Sequence, residues 1–389
     1  MDISIYFTPI DVSWYSFGEK RTRFGDVIDI FSDKDNFPDY SDYDIAIIGV
    51  EEDRNAINNL GCANAPDEVR KQLYKLFTGD YSPKIVDFGN IKRGDTVDDT
   101  YYALFSTVST LLRHKVFPLI IGGSQDLTFA NYKAYENNGQ IINIAAIDPK
   151  FDLGSSEQSM DSTSYLSKII LYQPSYLFNF TNIGYQTYFV EQESIDLMEA
   201  LFFDIYRLGD IHADIKKVEP LLRNADMLSF DISAIRSSDA RGNNNASPNG
   251  FYGEEACRLC WYAGMSDKLT SAGFYEVNPT KDANGQTSFL VAEMIWYFID
   301  GFYHRRAESP NVDDENFIIY HVQIDDCTDD IIFYKSKKTN RWWMQVLEPE
   351  NVQKKYERHY IIPCSYDDYK KAASNEIPER WWQAYKKLT

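Results

Sequence analysis

The chain is poor in cysteine, short of positive charge and without any long apolar run, and each shortage excludes something. Five cysteines (Cys62, Cys257, Cys260, Cys327, Cys364) among 389 residues are too few and too scattered for a disulfide framework, and an odd number leaves at least one thiol free. A reducing, cytoplasmic interior is expected. With 39 basic against 59 acidic residues the formal charge is −20, so a phosphate-tracking surface would be built against the chain's own field, and nucleic acid is excluded as an expected partner. No apolar run approaches the roughly 20 residues that cross a bilayer, and the start Met1-Asp2-Ile3-Ser4 lacks the basic head and apolar core of a signal peptide. No membrane insertion is expected. Histidine is also scarce: His114, His212, His304, His321 and His359 are scattered, with none between Lys115 and Ile211. What is present is 44% hydrophobic and 15% aromatic residues, enough for one large core or two modest ones, so disorder as the main state is excluded.

Short β-branched and aromatic runs alternate with longer amphipathic stretches, the pattern of a parallel sheet with crossover helices. Strands are predicted at 43–50, 84–88, 117–121, 141–147, 177–183, 201–206, 227–231 and 273–277, eight in all. Helices are predicted at 66–77, 98–114, 127–137, 162–171, 195–199, 253–265 and 287–302, with Pro66 near one start and Asp98 as the cap of another. Strands this apolar need both faces covered, which predicts a three-layer α/β/α domain with a mainly parallel eight-stranded sheet over residues 1–312. Residues 313–389 change character and predict a small α+β extension: strand-like runs at 317–324 and 331–334 around an acidic turn, Asp325 to Asp330, and then two short helices. Four of the seven tryptophans fall there, as Trp342-Trp343 and Trp381-Trp382, either anchors into the main domain or a docking surface.

Ligands of open α/β sheets gather beyond the carboxyl ends of the strands. Four such ends carry chemistry: Gly122-Gly123-Ser124-Gln125-Asp126, Asp148-Pro149-Lys150-Phe151-Asp152, Ser229-Phe230-Asp231-Ile232-Ser233 and Tyr275-Glu276-Val277-Asn278-Pro279. Their carboxylates are expected to converge on one crevice, with Lys150 among them.

These four segments, in this order on this strand pattern, resemble the arginase, agmatinase and formimidoylglutamase superfamily, the ureohydrolases. The likeness spans about residues 43–305, and Gly61 to Arg70, with Ala65-Pro66, resembles the family's early Gly-Ala-Pro-x-x-Ile-Arg segment. The resemblance implies an arginase-like fold, trimers or hexamers, and two Mn²⁺ ions bridged by the hydroxide that attacks a guanidino or formimino carbon. It also implies a set of histidine and aspartate ligands, which falls here on Gln125, Asp148, Lys150, Asp152, Asp231 and Ser233. Three of those six positions hold no ligand of the family's kind. Gln125 offers a neutral amide, Ser233 removes a charge, and Lys150 sets an ammonium without a lone pair where a metal belongs. Lys150 is expected to pair with Asp148, Asp152 or Asp231 in an ion cluster that replaces the metals, and no metal is expected, weakly bound Mn²⁺ being the alternative. The loop that carries a histidine acid/base in the family reads Met160-Asp161-Ser162-Thr163-Ser164.

Glu276 keeps the family's place for contacting the cationic end of a substrate, with a carboxylate salt-bridged internally as the plainer reading, and Asn278 is expected beside it as a ligand contact if the protein holds an amidine or guanidine without cutting it. The Asn-rich stretch 241–250 reads as a lid or a plain loop, Cys257-x-x-Cys260 as buried thiols, and the acidic turn as a solvated hairpin end. The expectation for function is therefore a non-catalytic ureohydrolase-fold protein, with no catalytic residue assigned, that binds another protein or its own copies. The alternatives are a metal-dependent hydrolase of linear amidines of the formimidoylglutamase or agmatinase type, and a guanidine or amidine sensor without turnover.

Overall fold

The computed structural model describes residues 2–154, 159–310, 315–325, 330–347 and 352–389. Among them a ten-stranded sheet runs through β1 (Phe7–Thr8), β2 (Asp29–Ile30), β3 (Ile45–Val50), β4 (Ile85–Ile91), β5 (Phe117–Ile121), β6 (Ile142–Ile147), β7 (Leu177–Tyr185), β8 (Asp204–Arg207), β9 (Met227–Asp231) and β10 (Ser271–Tyr275). Their order is β1-β4-β3-β5-β10-β9-β6-β7-β8, with β2 beside β4, and only β1 runs antiparallel. All eight strands expected from periodicity are present. The two additional ones are two-residue strands at the β4 edge, too short for any periodic signal.

Why the sheet is covered on both sides follows from its composition. β3, β5, β6, β9 and β10 are buried along their whole length, so alternate side chains on each face need a partner layer. One face is packed by α2 (Ala65–Leu73), α9 (Gly253–Gly264) and α10 (Gln286–Tyr303), where Val69, Cys260 and Ile295 join Ile47, Leu119 and Phe274 in one cluster. Across the sheet, α3 (Val97–Arg113), α4 (Leu127–Lys133) and α5 (Tyr165–Leu171) supply Leu104, Ala130 and Ile169. The cap of α3 is Thr96 rather than Asp98: its hydroxyl accepts from the Asp99 amide, and Asp99 reciprocates at the Thr96 amide, so Asp98 is left in the first turn. Between β8 and β9 lie two six-residue helices that periodicity missed, Leu208–Ala213 and Glu219–Asn224, because six residues span fewer than two turns.

The C-terminal part forms a second, antiparallel sheet of Phe317–Val322, Ile331–Ser336, Trp342–Gln345 and Ile361–Cys364, in chain order. Helices Tyr366–Ala373 and Glu379–Leu388 follow, as expected. Residues 326–329 of the acidic turn, with Cys327, and the expected domain boundary at 312–313 lie outside the described residues. Of the four tryptophans, Trp343 meets the large domain with its ring, under the Arg223 guanidinium, while the rings of Trp342 and Trp381 pack within the C-terminal unit. Trp342 and Trp343 are buried, Trp381 donates its indole N–H to the Gln345 carbonyl at 2.8 Å, and Trp382 stands exposed. Charged bridges tie this sheet to the large one: Arg341 to Glu219 at 3.2 Å and Arg358 to Asp226 at 2.6 Å.

Candidate functional site

The strands β5, β10, β9 and β6 are immediate neighbours in the middle of the sheet, so the four segments singled out from the sequence end side by side. The close packing of the first loop needs Gly123: a Cβ there would stand 1.8 Å from the Glu52 carbonyl oxygen. With that approach open, Ser124 N–H donates to Glu52 O at 3.0 Å and Glu276 N–H to Gly123 O at 2.8 Å, stitching the β3, β5 and β10 ends together. Two site carboxylates, Asp152 (φ 50°) and Glu276 (φ 69°), sit in the left-handed region, which a non-glycine residue adopts at a cost of about 1–3 kcal/mol. Such strain concentrates at functional sites, and here it aims two acids into one crevice.

Each acid is buried, and each is satisfied from within. Gln125 donates its side-chain amide to Asp148 Oδ2 at 2.8 Å and its backbone amide to Glu276 Oε1 at 2.9 Å. The other Asp148 oxygen accepts the Lys150 backbone N–H at 2.7 Å. Asp231 accepts from the Ser233 amide at 2.7 Å and from the Ser233 hydroxyl at 2.5 Å, so both of its oxygens are used. Glu276 takes a further bond from Asn59 Nδ2 at 2.7 Å, and among the described residues no cation bridges it, so neutral hydrogen bonds stand in place of the expected ion pair.

Burial pushes these carboxyl groups upward, and the Lys150 charge offsets only part of the rise at Asp148, Asp152 and Asp231. Asp231 rises to about 7 and Glu276 to about 8, through burial first and then through the charges of Asp148 and Asp231 respectively. Asp148 is also raised by burial, and Asp152 is raised well above the ordinary range by burial and by the charges of Asp148 and Asp231. Asp148 and Asp152 hydrogen-bond to each other, so one proton is shared between them. Next to them Asp126, raised to about 6 by burial, accepts the Tyr101 hydroxyl.

Lys150 does not do what its position suggested. Its ammonium lies 5.7 Å from the centre of the Phe189 ring, and among the described residues no carboxylate stands within the 4.0 Å of an ion pair. The expected ion cluster is therefore corrected. The Lys150 backbone is held by its N–H on Asp148 and by Asn182 donating to its carbonyl at 2.7 Å, and the residue is partly exposed.

The Asn-rich stretch is a fastened loop rather than a lid. Asn243 donates to the Glu276 carbonyl at 2.8 Å, the Asn244 amide to Asn59 Oδ1 at 3.1 Å, and Asn245 to the Ile57 carbonyl at 3.1 Å. Asn278 is consumed in the same web, its amide donating to Asn59 Oδ1 at 3.0 Å and its oxygen accepting from Thr280 at 3.1 Å and 2.6 Å. Asn59 is thus the organising residue that sequence reading missed. It lies in a loop without regular period, and only the fold brings it to Glu276. Tyr165, also missed, places its hydroxyl 3.3 Å from the Gln125 amide. Cys257 and Cys260 are buried on α9 with both thiols raised by burial, Cys257 to about 12.

The donor set does not fit a pair of manganese ions. The amide nitrogen of Gln125 and the hydroxyl of Ser233 are donors pointed at carboxylate oxygens that a metal would use. Among the described residues no three histidine, cysteine, aspartate or glutamate side chains converge so as to hold a metal ion.

Comparison with known proteins places this architecture. A profile of the Arginase family matches residues 43–300. A formimidoylglutamase of Staphylococcus aureus is 26% identical over 281 residues, covering 66% of this chain and 85% of that one. Among solved structures, formimidoylglutamase from Bacillus subtilis superposes with a TM-score of 0.66 at 20% identity, over 76% of this chain and 97% of that one. Formiminoglutamase of Trypanosoma cruzi, solved with Mn²⁺, gives 0.64 at 21% identity over 69% and 96%. The agmatine ureohydrolase of Thermoplasma volcanium gives 0.60 at 18% identity over 75% and 97%.

Proposed function

The chain belongs to the arginase family, and from that premise we propose that it is a member in which dimanganese hydrolysis has given way to binding, a scaffold or protein-binding subunit with no resident metal. The observation that carries this reading is the internal use of the acids. Gln125 and Ser233 donate to Asp148 and Asp231 at 2.8 Å and 2.5 Å, and burial raises Asp231 to about 7, so protonation removes part of the remaining charge. Losing even a residue that merely orients a metal ligand costs about 10–100-fold in affinity or activity, and here three ligand positions themselves are changed.

On this reading residues 313–389 form an appended unit, and the exposed Trp382, with Tyr385 stacked 5.9 Å away, marks the surface offered to a protein partner or to another copy of the chain. No described helix is long and apolar enough to cross a membrane, which suits a cytoplasmic protein.

A second reading is supported by the relatives, which are named as hydrolases: a ureohydrolase-type enzyme acting on linear amidines. The names favour it over a scaffold; the donor set does not. Elemental analysis of the full chain dialysed against Mn²⁺, together with turnover assays on formimino and guanidino substrates, separates the two. No bound manganese and no turnover is the expected result. Close to two manganese per chain with amidine hydrolysis would establish the second reading.

A further inference from the structure

A second polar cavity lies at the other end of the strands from the crevice, where they begin. Asp226, just before β9, and Asn143, at the start of β6, are joined there by an N–H to carboxylate bond of 2.8 Å. The cavity has a volume of about 400 Å³, and its walls come both from the family-matched part, with Arg223 and Lys268, and from the C-terminal sheet, with Trp343 and Arg358.

Its spare hydrogen-bonding capacity is of one kind. Arg223 is nine-tenths buried, its side chain 6% exposed and its Cζ 4.3 Å from the centre of the Trp343 ring. The Nε and Nη2 of Arg223 serve Glu219 at 2.9 Å and 3.3 Å, and Nη2 also meets the Trp342 carbonyl at 3.1 Å and that of Cys364 at 3.4 Å. Among the described residues its Nη1 is buried with no hydrogen-bond partner. A guanidinium nitrogen left in that state is costly, and native structures rarely tolerate it without a ligand or water. Lys268 uses one of its three protons, on Asn224 Oδ1 at 2.9 Å. Burial lowers its ammonium to about 8, with the buried Asp226 carboxylate opposing the shift and Arg358 adding to it. Arg358 already spends one Nη2 donor on the buried Asp226 at 2.6 Å, and the acids on the wall accept hydrogen bonds of their own. Asp267 accepts from the Ala307 and Glu308 amides at 3.1 Å each, Glu308 accepts from Ser336 and Thr339, and Glu357 is exposed.

We propose that this cavity binds a small oxyanion, a carboxylate or a phosphoryl group, between the free Arg223 Nη1 and the Lys268 ammonium, with Arg358 at its mouth. Arginine and lysine donors suit both groups, and the volume is at the small end of the roughly 300–1,000 Å³ typical of small-molecule sites. Because Trp343 and Arg358 belong to the C-terminal sheet, an occupant would bridge that sheet to the large one, away from the crevice.

The test is calorimetric titration of the full chain, at low ionic strength, with inorganic phosphate and separately with citrate, with chloride as the control. Saturable binding of at least one of the two at about one per chain is expected, weakened tenfold or more in Lys268→Ala and in Arg358→Ala and unchanged in the crevice variant Gln125→Ala. Phosphate binding alone would identify a phosphoryl ligand, and citrate alone a carboxylate. Absence of saturable binding for both, or an affinity untouched by Lys268→Ala, would overturn the proposal. Lys268→Ala leaves both charged bridges between the sheets in place, whereas Arg358→Ala removes the one to Asp226, so the binding result of Arg358→Ala counts only where its thermal melt matches the parent's.

Discussion

Replacing Lys150 by methionine tests where its charge goes. The substitution keeps most of the aliphatic stem and removes the ammonium. In the structure that ammonium has the Phe189 ring at 5.7 Å and, among the described residues, no carboxylate at ion-pair distance. A cation over a ring at a partly exposed site contributes about 0.5–1 kcal/mol. The attraction of the buried acids is reduced but not removed, because burial raises their pKa values while Lys150 still acts on Asp148, Asp152 and Asp231 from beyond ion-pair distance. Lys150→Met should therefore cost about 1 kcal/mol. Arg70 supplies the contrast. Its side chain is fully buried on α2, with Nε 2.8 Å and Nη2 2.9 Å from the two Asp87 oxygens and Nη2 2.9 Å from the Gly89 carbonyl. Arg70→Met leaves a carboxylate buried without its cation and should cost about 3–5 kcal/mol. Urea unfolding of both variants beside the parent, with slopes compared so that only midpoint shifts count, measures the difference. A loss of 3 kcal/mol or more for Lys150→Met, close to that of Arg70→Met, would refute the reasoning and place the ammonium among the carboxylates after all.

The pH dependence has a definite sign. Glu276 binds its proton more tightly folded (about 8) than at the ordinary 4.5, so stability is full below about pH 4.5 and declines as pH rises toward 8, by a few kcal/mol. Urea midpoints at pH 5 and pH 8 check this, and stability rising across that interval would contradict it. Restoring Gln125→His, Lys150→His and Ser233→Asp together should create manganese binding that the parent lacks, read by elemental analysis after dialysis; a triple variant that folds but stays metal-free would show that the strand ends are no longer spaced for the ions. In the C-terminal sheet, Trp343→Ala should cost about 3–5 kcal/mol, since the ring is buried, meets Phe317 edge-on at 5.5 Å and covers Arg223. Trp382→Ala should change stability by less than about 0.5 kcal/mol, and thermal melts of the pair test that contrast.

The sequence by itself determined the architecture and the place of the site. Eight strands were legible because apolar, β-branched runs buried on both faces leave a signal within a few residues, and β5 and β9 fall on the residues read from the pattern. The four strand ends were legible because each carries its polar residues immediately after an apolar run, and the missing ligands at 125, 150 and 233 are plain from residue type. What the tertiary structure decided was which polar groups spend their hydrogen bonds on which. That Asn59 reaches Glu276 across 217 residues, that Lys150 leaves the acids for Phe189, and that Ser233 and Gln125 close on Asp231 and Asp148 depend on competition in space between burial and bonding. Periodicity reports the burial of a segment averaged over its neighbours. A single side chain in a loop has no such average, and its direction is set by partners that only the folded chain brings within about 3 Å.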